Sequence, residues 1–161
     1  VINLLIPKRR IVVYGIPQPQ GSKSARVLPH EVRAKGDQCV GGRAILTEGF
    51  GEGPRDRKSW RDAVAEAGRA WLTAHDAPAP LDGPLVMWAW FYLPRPPSAP
   101  KSVTLPFRKP DNSKLLRSVE DALSGILYVD DARFVDSHIS KRFAINTPPH
   151  AVIEIEIALD H

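Results

Sequence analysis

Nine consecutive apolar residues, LVMWAWFYL at 85–93, stand between Pro84 and Pro94. A run that short, bounded by proline at both ends and rich in aromatic residues, reads as a β-strand. It shows no apolar–polar alternation, which predicts a central strand buried on both faces. The rest of the chain has to supply its neighbours and its cover. AVIEIEIAL at 151–159 sets Ile153, Ile155 and Ile157 against Glu154 and Glu156, the period-2 pattern of a half-exposed strand. RIVVYGI at 10–16 is β-branched and aromatic, and RAILTE at 43–48 fits a short strand. Residues 132–143 place Val135, Ile139 and Phe143 on one face, and Phe134, Asp136, His138, Ser140 and Arg142 on the other.

Two segments carry helical spacing instead. Over 57–75, Trp60, Val64, Ala67, Trp71 and Ala74 recur three or four residues apart, with Arg57, Lys58, Arg61, Glu66 and Arg69 off that stripe. Asp56 is placed to cap this helix, and the two tryptophans read as core anchors. Over 112–123, Leu115, Leu116, Val119, Ala122 and Leu123 define a second buried stripe, and Ser124-Gly125 supplies a stop. The expectation is an α/β fold: one compact domain over 1–161, with a mixed sheet of about four to five strands and two main helices. At 161 residues such a domain buries a core without staples, and its only cysteine, Cys39, excludes an intrachain disulfide and any multi-cysteine zinc site. The glycine-rich, weakly patterned stretch 27–55 reads as a mobile excursion.

Between the central strand and residue 131 the chain is rich in charge-bearing groups. A proline-rich basic loop with Arg95, Lys101, Arg108 and Lys109 leads into KPDNSKLLRSVEDALSGILYVDD at 109–131. Asp111 follows a proline and precedes the apolar stripe, so it can cap the helix; Asp130-Asp131 fits a solvated turn. The same residues support a second reading. Carboxylates meeting from the helix start and the turn would repel unless a divalent cation neutralised them, and oxygen-only ligands select Mg2+, with Mn2+ as a substitute. Arg117, one to two turns into the helix, would stabilise charge on a phosphate.

This stretch resembles the RusA family of Holliday junction resolvases. Lys109-Pro110-Asp111, Leu115, Asp121-Ala122-Leu123, Gly125 and Asp130-Asp131 follow the family's order and spacing. So does the strand ending at Gly15 and followed by Pro17-Gln18-Pro19-Gln20-Gly21-Ser22, as in phage-type members. The resemblance implies a homodimeric, Mg2+-dependent endonuclease that resolves four-way DNA junctions by paired nicking. It implies catalytic roles for Asp111, Arg117 and Asp131, and metal ligation by Asp111, Asp130 and Asp131. The family's second motif Asp is Ser113 here, and its usual Lys is Arg117. Arg117 keeps the charge but cannot give up a proton at neutral pH. Glu120, seven residues beyond Ser113 on the same stripe, would act behind the ligands or pair with Arg117.

The formal net charge of +4 and a pI near 9.4 suit an anionic partner. Lys23, Lys109, Lys114, Lys141 and Arg142 are the expected DNA contacts. VINLLIP at the start has neither the basic flank nor the cleavage pattern of a signal peptide, and no apolar run approaches the ~20 residues of a membrane span. A cytoplasmic protein with no membrane association and no small-molecule cofactor is expected. Two other functions fit the same residues: a junction binder made weak or inactive by Ser113, and a domain whose acidic residues are only caps and turns.

Overall fold

A computed structural model describes residues 8–21, 23–27, 44–48, 54–77 and 80–158, with only the backbone of 23–27, 44–48 and 54–56. The strands are β1 (Arg9–Tyr14), β2 (Lys23–Val27), β3 (Ala44–Glu48), β4 (Leu85–Leu93), β5 (Phe134–Phe143) and β6 (His150–Ile157). The helices are α1 (Pro54–Ala74) and α2 (Asn112–Leu123), and a short 3-10 turn spans Asp131–Arg133. Four strands form one mixed sheet in the order β1-β6-β4-β5. β6 runs antiparallel to both β1 and β4, while β4 and β5 are parallel. The parallel pair follows from the connection, since the chain leaves the end of β4, returns along α2, and re-enters the sheet in the same direction. β2 and β3 form a separate antiparallel hairpin. The expected strand at 43–48 is therefore present, and it pairs with β2, a strand that the sequence did not suggest. The rest of the 27–55 excursion, with Cys39, lies almost wholly outside the described residues, as does the opening VINLLIP.

Both helices pack on one face of the sheet. Ile11 and Val13 of β1, Met87 and Phe91 of β4, and Ile153 and Ile155 of β6 form that face with Trp60 and Val64 of α1 and Leu115, Val119 and Leu123 of α2. Trp60 and Trp71 are core residues, 4% and 8% exposed. Gly68 lets the helices approach: a Cβ there would lie 2.8 Å from Cδ2 of Leu123. Arg9 is buried in this layer, its Nη1 donating to the Leu127 carbonyl at 2.6 Å. Burial holds its pKa below the usual arginine value.

Three expectations are corrected. β4 is buried on one face only: Val86, Trp88, Trp90 and Tyr92 point to the other face and are half-buried. Flat neighbours shelter them in part, with His138 stacked on Trp88 at 5.5 Å, His150 on Tyr92 at 4.3 Å, and the Lys8 ammonium 4.5 Å above Trp88. Asp56 lies inside α1, which starts at Pro54, where a missing N–H costs nothing. Val135 is 66% exposed, because the β4–β5 register shifts between Leu85 and Val86. One residue is absorbed in a bulge, so Phe134 shares the helix-side face with Ile139, Lys141 and Phe143.

Candidate nuclease site

The approach to Asp111 is held from two sides. The proline-rich loop after β4 is tied by Arg95, whose Nη2 donates to the Pro100 carbonyl at 2.7 Å and whose guanidinium lies 5.3 Å from the Phe143 ring. At the end of that loop the Lys141 ammonium donates to the carbonyls of Arg108 at 2.9 Å and Pro110 at 2.7 Å, bracketing the cis Lys109–Pro110 peptide. Lys141 can do this because it shares the helix-side face of β5 with Ile139 and Phe143. Sequence reasoning gave it to DNA phosphates; here two of its three donors hold the chain that delivers Asp111.

The second support is the loop after β1. The Gln20 amide donates to the Lys114 carbonyl at 2.8 Å, and buried Ser118 donates to the Gln18 carbonyl at 2.8 Å while accepting from Trp60 Nε1 at 3.2 Å. The segment Pro17–Gly21 thus rests on α2, and the two sequence blocks that carried the resemblance touch. Ser118 was not singled out from sequence. A lone serine within the apolar stripe of α2 is the signal that could have found it.

Asp111 occupies the N-cap position of α2 with extended backbone, yet its side chain makes no capping hydrogen bond. Its carbonyl accepts from the Leu115 amide at 3.1 Å, and its Oδ2 stands 4.0 Å from Lys114 Nζ. Ser113 and Arg117 are exposed on the outer stripe of α2, and Glu120 and Asp121 half-buried beyond them. The helix ends where Tyr128 donates its hydroxyl to the Glu120 carbonyl at 2.8 Å, with Gly125 at φ 73° in the turn between. Asp130 caps the 3-10 turn, its Oδ1 accepting from the Ala132 amide at 2.8 Å. Asp131 is exposed, and its carboxylate has no hydrogen bond or ion pair among the described residues. Arg142 lies exposed on the open face of β5, and Lys23 opens β2, its side chain outside the described residues.

Charge collects at the far end of α2. Burial, then the charges of Asp131 and Asp121, hold the Glu120 carboxyl above the usual range, with Arg117 opposing them. Burial also pushes the Tyr128 phenol far up, followed by the fields of Glu120, Asp131, Asp121 and Asp130. The structure therefore brings Asp130, Asp131, Glu120, Asp121 and Arg117 into one electrostatic neighbourhood. Asp111 stands at the other end of the helix, nine residues from Glu120, or about 13.5 Å of axial rise. Among the described residues no three His, Cys, Asp or Glu side chains converge on one ion-sized point. The donor chemistry nevertheless fits a hard cation: oxygen atoms only, mutually repelling, two of them spared from structural duty. Mg2+ ordinarily takes one or two carboxylates together with substrate phosphates and water, not a closed protein cage.

A family model described as Endodeoxyribonuclease RusA matches residues 50–156, a span that holds both helices, the central strand and every acidic residue of this site. No curated protein matches the chain.

Proposed function

Since the chain belongs to the RusA endodeoxyribonuclease family, we propose that it is a Mg2+-dependent nuclease that resolves four-way DNA junctions by paired nicking, acting as a homodimer. The observation that carries the site assignment is that Asp111 holds the N-cap position without spending its carboxylate on the cap. Asp111, Asp131 and, beside it, Asp130 would hold the cation, which ordinarily takes one or two carboxylates together with substrate phosphates and water. When bound, the cation activates a water and offsets charge developing on the phosphate. Arg117, exposed and without an ion pair among the described residues, faces that charge with a fixed positive group. It stays protonated throughout, so protons leave through water and not through this side chain. Lys109, Lys114 and Arg142 contact backbone phosphates, and two active sites related by a two-fold suit a junction of near two-fold symmetry.

The test is incubation of a synthetic four-way junction with Mg2+ or Mn2+. Symmetric nicks that disappear in Asp131→Asn are expected; nicks that survive that change refute the assignment. Ser113 favours a second reading, a junction binder of weak activity, because a neutral hydroxyl stands where the family's motif carries a carboxylate. That reading predicts retarded but uncut junctions, and a gain of nicking in Ser113→Asp.

A further inference from the structure

A cleft of about 250 Å³ lies between the first turns of α1, the loop after β1 and the flank of α2, lined by Gln20, Arg57, Lys58, Arg61, Asp62 and Ala122. We propose that this cleft seats a backbone phosphate of the bound DNA, away from the nicking residues; the idea rests on the DNA-acting function proposed above.

Three cations and one acid line the cleft. The acid is already engaged, since Asp62 Oδ2 lies 2.6 Å from Lys58 Nζ. Arg57 is only 7% exposed, although its place off the apolar stripe of α1 led to the expectation of a solvated residue. Arg61 is half-buried and has no hydrogen bond or ion pair among the described residues. Held partly out of water without a carboxylate partner among the described residues, the Arg61 guanidinium presents its donor fork to an incoming anion, and phosphate oxygens match that fork.

The Lys58–Asp62 pair, four residues apart, supports α1 locally. Arg57, Lys58 and Arg61 fall in the first two turns of α1, where the helix dipole favours acidic side chains.

Position ties the cleft to the proposed active site. Gln20 lines it, and the Gln20 amide is bonded to Lys114, three residues after Asp111. Ala122 forms its α2 wall, next in sequence to Asp121. A strand whose scissile phosphate lies along the outer stripe of α2 therefore has a second basic seat around the side of the same helix. None of these residues belongs to the DNA contacts expected from sequence.

The experiment measures binding of a synthetic four-way junction and of a linear duplex from 50 to 200 mM salt, without divalent cation, for the wild type, Arg61→Ala and Arg61→Lys. Loss of one phosphate contact lowers the slope of log K against log salt by about 0.9, which is roughly eightfold weaker binding at 0.1 M salt. Arg61→Ala should show both changes at an unchanged melting temperature, and Arg61→Lys should restore the slope. A slope that does not move, on either DNA, overturns the proposal, and this is also what a cleft serving only free phosphate would give. Equal wild-type affinity for duplex and junction would defeat the junction-specific function. A reduced slope in Arg61→Ala would still uphold the cleft in that case. Wild-type binding to neither DNA would end both.

Discussion

The two ends of α2 differ in charge and in how they are built. At the start, one carboxylate, Asp111, sits among Arg108, Lys109, Lys114 and Lys141, on a loop pinned by hydrogen bonds from β5. At the finish, Glu120, Asp121, Asp130 and Asp131 gather around Arg117, with Glu120 and Tyr128 packed into the protein. The first end is suited to receiving a polyanion. The second is suited to attracting a cation, because burial and then the charges of Asp131 and Asp121 raise the cost of ionising Glu120. A hydrolase that acts on a phosphodiester needs both. Damage at the two ends should therefore differ in kind.

The largest expected effect is at the acidic end. Asp131→Asn should lower single-turnover nicking by more than ~100-fold, beyond the 10- to 100-fold typical of losing a group behind a metal ligand. Junction affinity measured without divalent cation should be unchanged or slightly higher, since a negative charge has been removed. A parallel loss of affinity would break the comparison by showing that the acidic end also organises DNA binding.

Next comes Lys141, which separates two roles. Lys141→Met frees the carbonyls of Arg108 and Pro110 and lets Asp111 shift. A displacement of about 1 Å can cost ~100-fold in rate. The nicking rate should fall by that order while the salt slope of junction binding stays within ~0.3 of wild type. If the slope instead falls by about 0.9, Lys141 is a phosphate contact, as the sequence alone suggested, and the pinning is incidental.

What the sequence revealed and what it hid follow the same division. The bounds of α2 and β4 were readable to the residue, because local spacing of Leu115, Val119 and Leu123, and an apolar run closed by prolines, determine them. The acidic motif was readable as a string of residue types. Lys141's role was not, because it depends on where the loop through Arg108 and Pro110 passes β5, which strand alternation does not reveal. The proximity of Glu120 to Asp131 was also hidden, since it depends on how the turn through Gly125 and Tyr128 folds back on α2. β2 was missed because KSARV is polar and short, and its strand character comes from pairing with β3. The half-covered face of β4 was missed because Trp and Tyr count as apolar whether or not a helix lies over them.

A smaller effect tests the crowding of charge at the acidic end. Glu120 has a folded-state pKa above its unfolded value. Ionising it therefore costs the folded state more than the unfolded one, a penalty absent below about pH 4 and fully present once the pH passes the raised value. Glu120→Gln should accordingly raise Tm at pH 7.5 in metal-free buffer, and that gain should vanish at pH 4. Adding Mg2+ should stabilise the wild type more than Glu120→Gln, because the ion binds only the folded carboxylates. Equal shifts in both proteins would place the cation elsewhere.

The smallest expected effect contrasts two aspartates at cap positions. Asp130 uses its side chain, accepting from the Ala132 amide at 2.8 Å, so Asp130→Ala should cost about 1 kcal/mol, the usual worth of a cap. Asp111 makes no such bond, and its one ionic neighbour among the described residues, Lys114, is exposed and 4.0 Å away. Asp111→Asn should shift stability by less than ~0.5 kcal/mol, the scale of a surface pair or a weak dipole contact. Asn is itself a good N-cap, so the sign can be positive if the amide side chain takes up the bond that the carboxylate leaves unmade. Chemical denaturation of both variants measures this directly. A cap-sized loss at Asp111 would mean that its carboxylate is committed to the helix. A negligible loss together with abolished nicking would leave the carboxylate to chemistry, because a side chain that contributes nothing to the fold is free to bind an ion without a cost in stability.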